Sequence, residues 1–138
     1  MSDHKLKVNV SWSDKNYCCV WSDDAAGTVI VTAKTLEKLK EDFAESLKLH
    51  IGGCVADGDV LPQYLVDGDY ELEYVLDIVA LLRDAESYTT MAALSRACGI
   101  NPKQLSHYVT GQKRPRKQQR ERIITGLHLI GSRILALC

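Results

Sequence analysis

Strand patterning occurs in four short runs before Asp77 and in none after it. That boundary constrains the fold most, because a sheet can be built only from the first part of the chain and the rest must be helical. Residues 5–12, KLKVNVSW, set Leu6, Val8, Val10 and Trp12 against Lys5, Lys7 and Asn9, the two-residue period of a half-buried strand. Residues 16–22, NYCCVWS, are β-prone and follow a polar turn at 13–15, so the pair reads as a hairpin. A turn at 23–27, DDAAG, leads to TVIVTA at 28–33, whose β-branched side chains fit a pleated surface. YELEYVL at 70–76 alternates again, with Tyr70, Leu72, Tyr74 and Leu76 opposed to Glu71, Glu73 and Val75.

The period changes at Thr35. Leu36, Leu39, Phe43 and Leu47 recur at three- and four-residue spacing, which predicts an amphipathic helix of about 15 residues. Thr35 is its expected N-cap, and Gly52 with Gly53 its expected end. Residues 52–69 read as a loop whose two DGD triplets, at 57–59 and 67–69, are turns; a calcium loop needs a longer ligand pattern. The first module is therefore β-β-β-α-β. Beyond it, a short helix starts at Asp77, and a second is capped by Thr89 or Thr90 and stopped by Gly99. A third is capped by Asn101, with Pro102 at its first position, where a missing N–H costs nothing. TGQKRP breaks that helix, and residues 116–137 form the last one. The expected fold class is α+β: a small sheet module over 1–76 and an all-α module over 77–138.

Charge follows the same division. Residues 1–77 hold 15 Asp/Glu against 7 Lys/Arg, a net of −8, while residues 96–122 hold 8 Lys/Arg and one acid, Glu121. An acidic and a basic half imply two modules with different partners. No window approaches the length of a membrane span, and MSDHKLKVNV has no export-type apolar core, so a cytoplasmic protein is expected. Five cysteines, an odd number without a C-x-x-C pair, fit neither a disulfide framework nor a zinc site and read as reduced thiols. No metal or cofactor is expected. His4 and His50 have no ligand or base at a useful spacing and read as exposed or helix-end histidines.

Two short helices joined at a glycine form a helix-turn-helix. Here Leu94 precedes Gly99 by five residues, Leu105 follows that glycine by six, and Gly111 follows by six more. LSRACGINPKQLSHYVTGQKRP resembles the phage-repressor, Cro-like helix-turn-helix family over about residues 77–125, with Ser95 where that family usually has alanine. The resemblance implies that the second helix enters the DNA major groove. Asn101, Pro102, Lys103, Gln104, Ser106 and His107 would then stand at or near base edges, with Lys103 donating to guanine and Gln104 pairing with adenine. Lys113, Arg114, Arg116 and Lys117 would lie beside phosphates, where counter-ion release supplies affinity regardless of sequence.

The order of a β-β-β-α-β module and a repressor-like module resembles HicB-type antitoxins, whose first domain is a partial RNase H-like fold. The residues that carry this likeness are Tyr17, the turn at 23–27, the β-branched run ending at 32–35, and Glu41, Ala44 and Glu45 on the helix. The family's Pro–Glu–Leu–Pro–Gly turn is replaced by WSDDAAG. The resemblance implies neutralisation of a small basic HicA-type mRNA interferase and repression of the chain's own operon through operator DNA. Acidity in the first module fits a basic partner. Tyr17, Trp21, Asp23 and Asp24, aromatics beside acids, are the candidate toxin contacts. No catalysis is expected: RNase H chemistry needs carboxylates converging on two metals, and KLKVNVSW carries no acid.

Ile123, Leu127, Ile130, Ile134 and Leu137 recur at 4-3-4-3 spacing on the last helix. The stripe exceeds one core-facing surface, so a homodimer or higher even oligomer is expected through it. The competing reading is an autonomous Cro-like regulator whose first module senses a small ligand.

Overall fold

The computed structural model describes residues 3–13 and 15–138. The fold class is α+β, with one four-stranded mixed sheet and six helices among the described residues. The chain divides into two compact units, Met1–Asp77 and Ile78–Cys138.

In the first unit β1 (Lys5–Ser13) pairs antiparallel with β2 (Asn16–Asp23), which pairs antiparallel with β3 (Gly27–Ala33). The fourth strand, β4 (Glu71–Leu76), lies parallel to β1, giving the order β3-β2-β1-β4. Parallel neighbours need a crossover. Here it contains α1 (Leu36–Ala56) and a short α2 (Gln63–Val66). Alternation puts Leu6, Val8, Val10, Tyr17, Cys19, Trp21 and Val29 on one buried sheet face. Leu39, Phe43, Leu47 and Ile51, at four-residue spacing on α1, are the buried stripe that covers it. The Phe43 ring meets Tyr74 of β4 edge-on at 6.3 Å, and Tyr74 Oη donates to the Lys40 carbonyl at 3.3 Å. The other sheet face carries Lys5 beside Glu71, Lys7 beside Glu73, and the exposed Ile30.

The helix α1 is longer than its sequence predicts. Thr35 caps it as expected, its Oγ1 accepting from the Lys38 N–H at 3.1 Å. Gly52 and Gly53 do not end it; the helix passes through both and stops at Ala56. Each glycine costs about 1 kcal/mol relative to alanine, yet glycine only permits a helix to end. The end comes where backbone carbonyls find new donors. Gly58 adopts φ +83°, its N–H donates to Val55 and the Asp59 N–H to Cys54. Gly68 repeats the motif after α2, with φ +71°, its N–H on Leu65 and the Asp69 N–H on Tyr64. Both DGD triplets are thus the same left-handed helix terminus, and the expected loop over 52–69 contains helix at both ends.

The second unit holds α3 (Ile78–Ala85), α4 (Met91–Cys98), α5 (Pro102–Thr110) and α6 (Lys117–Leu137). Leu82, Leu94, Cys98, Ile100, Leu105, Tyr108, Val109 and Ile123 form its core, with Ile78, Met91, Leu127 and Ile130 packed against it in part. Gly126 lets α6 approach α4 at Cys98.

Candidate nucleic-acid interface

The turn between α4 and α5 is held from three sides. Gly99 ends α4 at φ +71°, a left-handed conformation that glycine adopts without steric cost. Ser95 Oγ donates to the Ile100 carbonyl, so the serine found where the resembled family has alanine ties α4 to the turn. Arg122 of α6 donates from Nη2 to the Gly99 carbonyl at 2.8 Å. Thr90 caps α4, accepting from Ala93, and Asn101 caps α5, its Oδ1 accepting from the Lys103 N–H at 2.8 Å. Asn101 is thereby engaged in its own helix although it is exposed.

Burial orients α5. Leu105, Tyr108 and Val109 point into the core. Lys103, Ser106, half-buried His107 and Thr110 share the outward side, with Pro102 exposed at the start. Gln104 sits at the margin, and its Nε2 donates to Tyr108 Oη at 2.6 Å. A side chain held by that bond must break it before both its polar atoms can reach an adenine.

Past Gly111, which closes α5 at φ +80°, the chain curls back. A cleft of about 350 Å³ opens there, lined by Gln104, Tyr108, Lys113, Arg114, Arg116 and Gln119. Three cations and no acid line it. Arg116 is also the N-cap of α6, without a side-chain hydrogen bond to the helix's first N–H groups. The positive end of a 21-residue helix therefore adds to the three cations. Its charge suits an anion such as a phosphate group. Lys117 is exposed one residue further along.

Of the residues expected at a DNA interface, the structure gathers Gln104, Lys113, Arg114 and Arg116 around the cleft and sets Lys103, Ser106 and His107 on the adjoining outward side of α5. Sequence reading missed Tyr108, Gln119 and Arg122. The four-residue spacing of Gln104 and Tyr108 is a usable signal; Arg122 and Gly99 lie 23 residues apart and have none.

No family model, curated protein or solved structure matches this chain.

The expected contacts of the first unit need correction. Tyr17 and Trp21 are buried core residues, 6% and 5% exposed, and present no aromatic surface to a partner. They share the α1-covered face with Cys19. Asp23 accepts from the N–H groups of Ala25 and Ala26 and holds the turn, while Asp24 is exposed. In the expected oligomer stripe, Ile123 is likewise core and fully buried, Leu127 and Ile130 are partly buried against that core, and Ile134 and Leu137 are exposed.

His50 Nε2 donates to the Ala26 carbonyl at 2.5 Å, and the His4 ring stacks on Tyr64 at 3.9 Å. Among the described residues no three His, Cys, Asp or Glu side chains gather as a metal site, and no helix is long and apolar enough to cross a membrane.

Proposed function

We propose that this chain is a DNA-binding antitoxin of the HicB type. Its second unit is a helix-turn-helix that represses its own operon, and its first unit neutralises a small basic HicA-type mRNA interferase. The observation that carries the reading is the pairing of an outward α5 surface, bearing Lys103, Ser106 and His107, with the cationic cleft at the end of the same helix. Groove edges and a backbone phosphate lie beside one another on duplex DNA, so a base-reading helix needs an anion seat next to it. The net charge of −8 on residues 1–77 supports a basic partner for the first unit.

In this reading the protein is not an enzyme and works without a cofactor in the cytoplasm. It acts as a homodimer or higher even oligomer, joined through the exposed end of α6 around Ile134 and Leu137. The test has two arms. The purified full chain is titrated with its own promoter fragment and with random duplex at several salt concentrations, and it is co-expressed with a small basic interferase of the HicA type. Tighter binding to the promoter and relief of growth arrest are expected. Equal affinity for both duplexes would remove the repressor role, and persistent arrest would remove the antitoxin role.

A further inference from the structure

With Tyr17 and Trp21 in the core, the partner-binding surface of the first unit must lie elsewhere. Among the described residues the first unit has an apolar recess with charge beside it. A groove of about 620 Å³ runs between the C-terminal half of α1, α2 and the start of β4. Its apolar walls are Ile51, Val55, Leu65, Val66, Tyr70 and Leu72. Two of these stay open to solvent, Val55 at 46% and Val66 at 43%, and Val60 in the segment joining the helices is 91% exposed.

Gly52 belongs to the same groove. A Cβ built there meets nothing within 4 Å, so neither packing nor a positive φ requires a glycine. Its missing side chain leaves the recess open, in a helix that alanine or leucine would strengthen.

Charge selects the occupant. Lys48 and Asp67 are the charged residues that line the groove, and Asp57, Asp59 and Asp69 stand exposed in the turns that end α1 and α2. Asp57 and Asp67 cap α1 and α2, and Asp67 itself lines the groove. Asp57 and Asp59 crowd Cys54 closely enough to help hold its thiol above the ordinary value, an effect led by desolvation. The last turn of α1 carries no basic residue, so its negative end is uncompensated. An apolar recess with Asp67 in its wall and exposed aspartates in the turns at the ends of α1 and α2 suits an apolar side chain flanked by Lys or Arg.

We infer that the α1–α2–β4 groove is where the first unit docks its basic protein partner, taking up an apolar anchor while Asp67 and the aspartates at the ends of the two helices meet the partner's cations. This rests on the antitoxin reading and gives that reading its contact surface. Apolar anchors seated in pockets dominate interface energetics, and rim charges set salt dependence and on-rate.

The experiment measures affinity between the full chain and a purified small basic interferase of the HicA type. Four forms of the chain are compared: the wild type, Gly52→Leu, Val66→Lys and, on the sheet face away from α1, Ile30→Lys. Gly52→Leu fills the recess without straining the helix, and circular dichroism confirms that each variant is folded. Both groove variants should weaken binding about tenfold or more, and Ile30→Lys should leave it unchanged. Asp57→Asn with Asp67→Asn should flatten the salt dependence. A wild-type chain that does not bind overturns the antitoxin reading and the groove with it. Wild-type binding that survives both groove variants overturns the groove alone. A salt dependence unmoved by the aspartate variants overturns the cationic occupant.

Discussion

Arg122 Nη2 donates to the Gly99 carbonyl oxygen at 2.8 Å, so a residue of α6 fixes the turn between α4 and α5. The same guanidinium nitrogen lies 2.8 Å from where a Cβ on residue 99 would stand. Gly99→Ala therefore forces an L-residue into φ +71° and pushes Arg122 off its acceptor. The conformation alone costs about 1–2 kcal/mol. Arg122→Ala loses a hydrogen bond, about 1 kcal/mol. The double variant should cost less than the two single losses combined, because without Arg122 the new methyl meets no side chain. Denaturant titrations of the four proteins check this; strict additivity would mean that Arg122 does not hold the turn.

Two glycines on one helix should respond in opposite directions. At Gly126 a Cβ would stand 2.8 Å from Cys98 Cβ and 3.1 Å from its backbone nitrogen, and a backbone cannot swing aside. Gly126→Ala should destabilise the second unit by about 1–3 kcal/mol despite alanine's better helix propensity. At Gly131 nothing lies within 4 Å, and Gly131→Ala should stabilise by up to about 1 kcal/mol. Equal shifts in denaturation midpoint would contradict the α4–α6 contact.

Local chemistry was legible in the sequence; facing and extent were not. Thr35, Thr90, Asn101, Pro102, Gly99 and Gly111 stand where capping rules place them, because a cap is decided within four residues. Gly52 and Gly53 permit a helix to end but do not require it, and the donors that end α1 come only at Gly58 and Asp59. The facing of Tyr17 and Trp21 is not legible because both faces of β2 are apolar: Cys18 and Val20 alternate with Tyr17, Cys19 and Trp21, and only pairing with neighbours and α1 shows which set is covered. The stripe on α6 is continuous in sequence, yet its start at Ile123 is core and its end at Leu137 is exposed. The cationic cleft was legible as charge, but its lining by Tyr108 and Gln119 depends on how α6 returns past α5.

Burial pushes the Cys19 thiol up from 9.0 to about 11. The folded chain thus holds its proton to a higher pH than the unfolded chain does. Stability from this group is intact below about pH 9, where both states keep the proton, and it is lost as pH rises from there through about 11. Cys19→Ala should flatten that alkaline decline, at the cost of weaker packing at lower pH. Melting temperatures of both proteins between pH 8 and about 11 measure it. Thiol labelling gives a second reading: exposed Cys138 should react first, and buried Cys19 and Cys98 only on unfolding. Early labelling of Cys19 would place it outside the sheet core.

Lys103 and Arg116 should separate the two kinds of DNA contact. Lys103 is exposed on the outward side of α5, in its first turn, where side chains of a groove-bound helix reach base edges. Arg116 lines the cationic cleft and caps α6, where a phosphate would sit. Base contacts specify sequence and phosphate contacts fix position. Lys103→Ala should cost about 1–3 kcal/mol on the promoter fragment and much less on random duplex. Arg116→Ala should weaken both alike and reduce the salt slope by about one unit. Gln104 adds a third case, because its bond to Tyr108 competes with base pairing. Tyr108→Phe frees that amide, so it should change promoter preference if Gln104 reads a base, and otherwise weaken both duplexes through the cleft. Affinities on both duplexes at several salt concentrations decide. If Lys103→Ala loses promoter and random binding alike, Lys103 is a phosphate contact and α5 does not lie in the groove; if neither it nor Arg116→Ala changes anything, this face does not bind DNA.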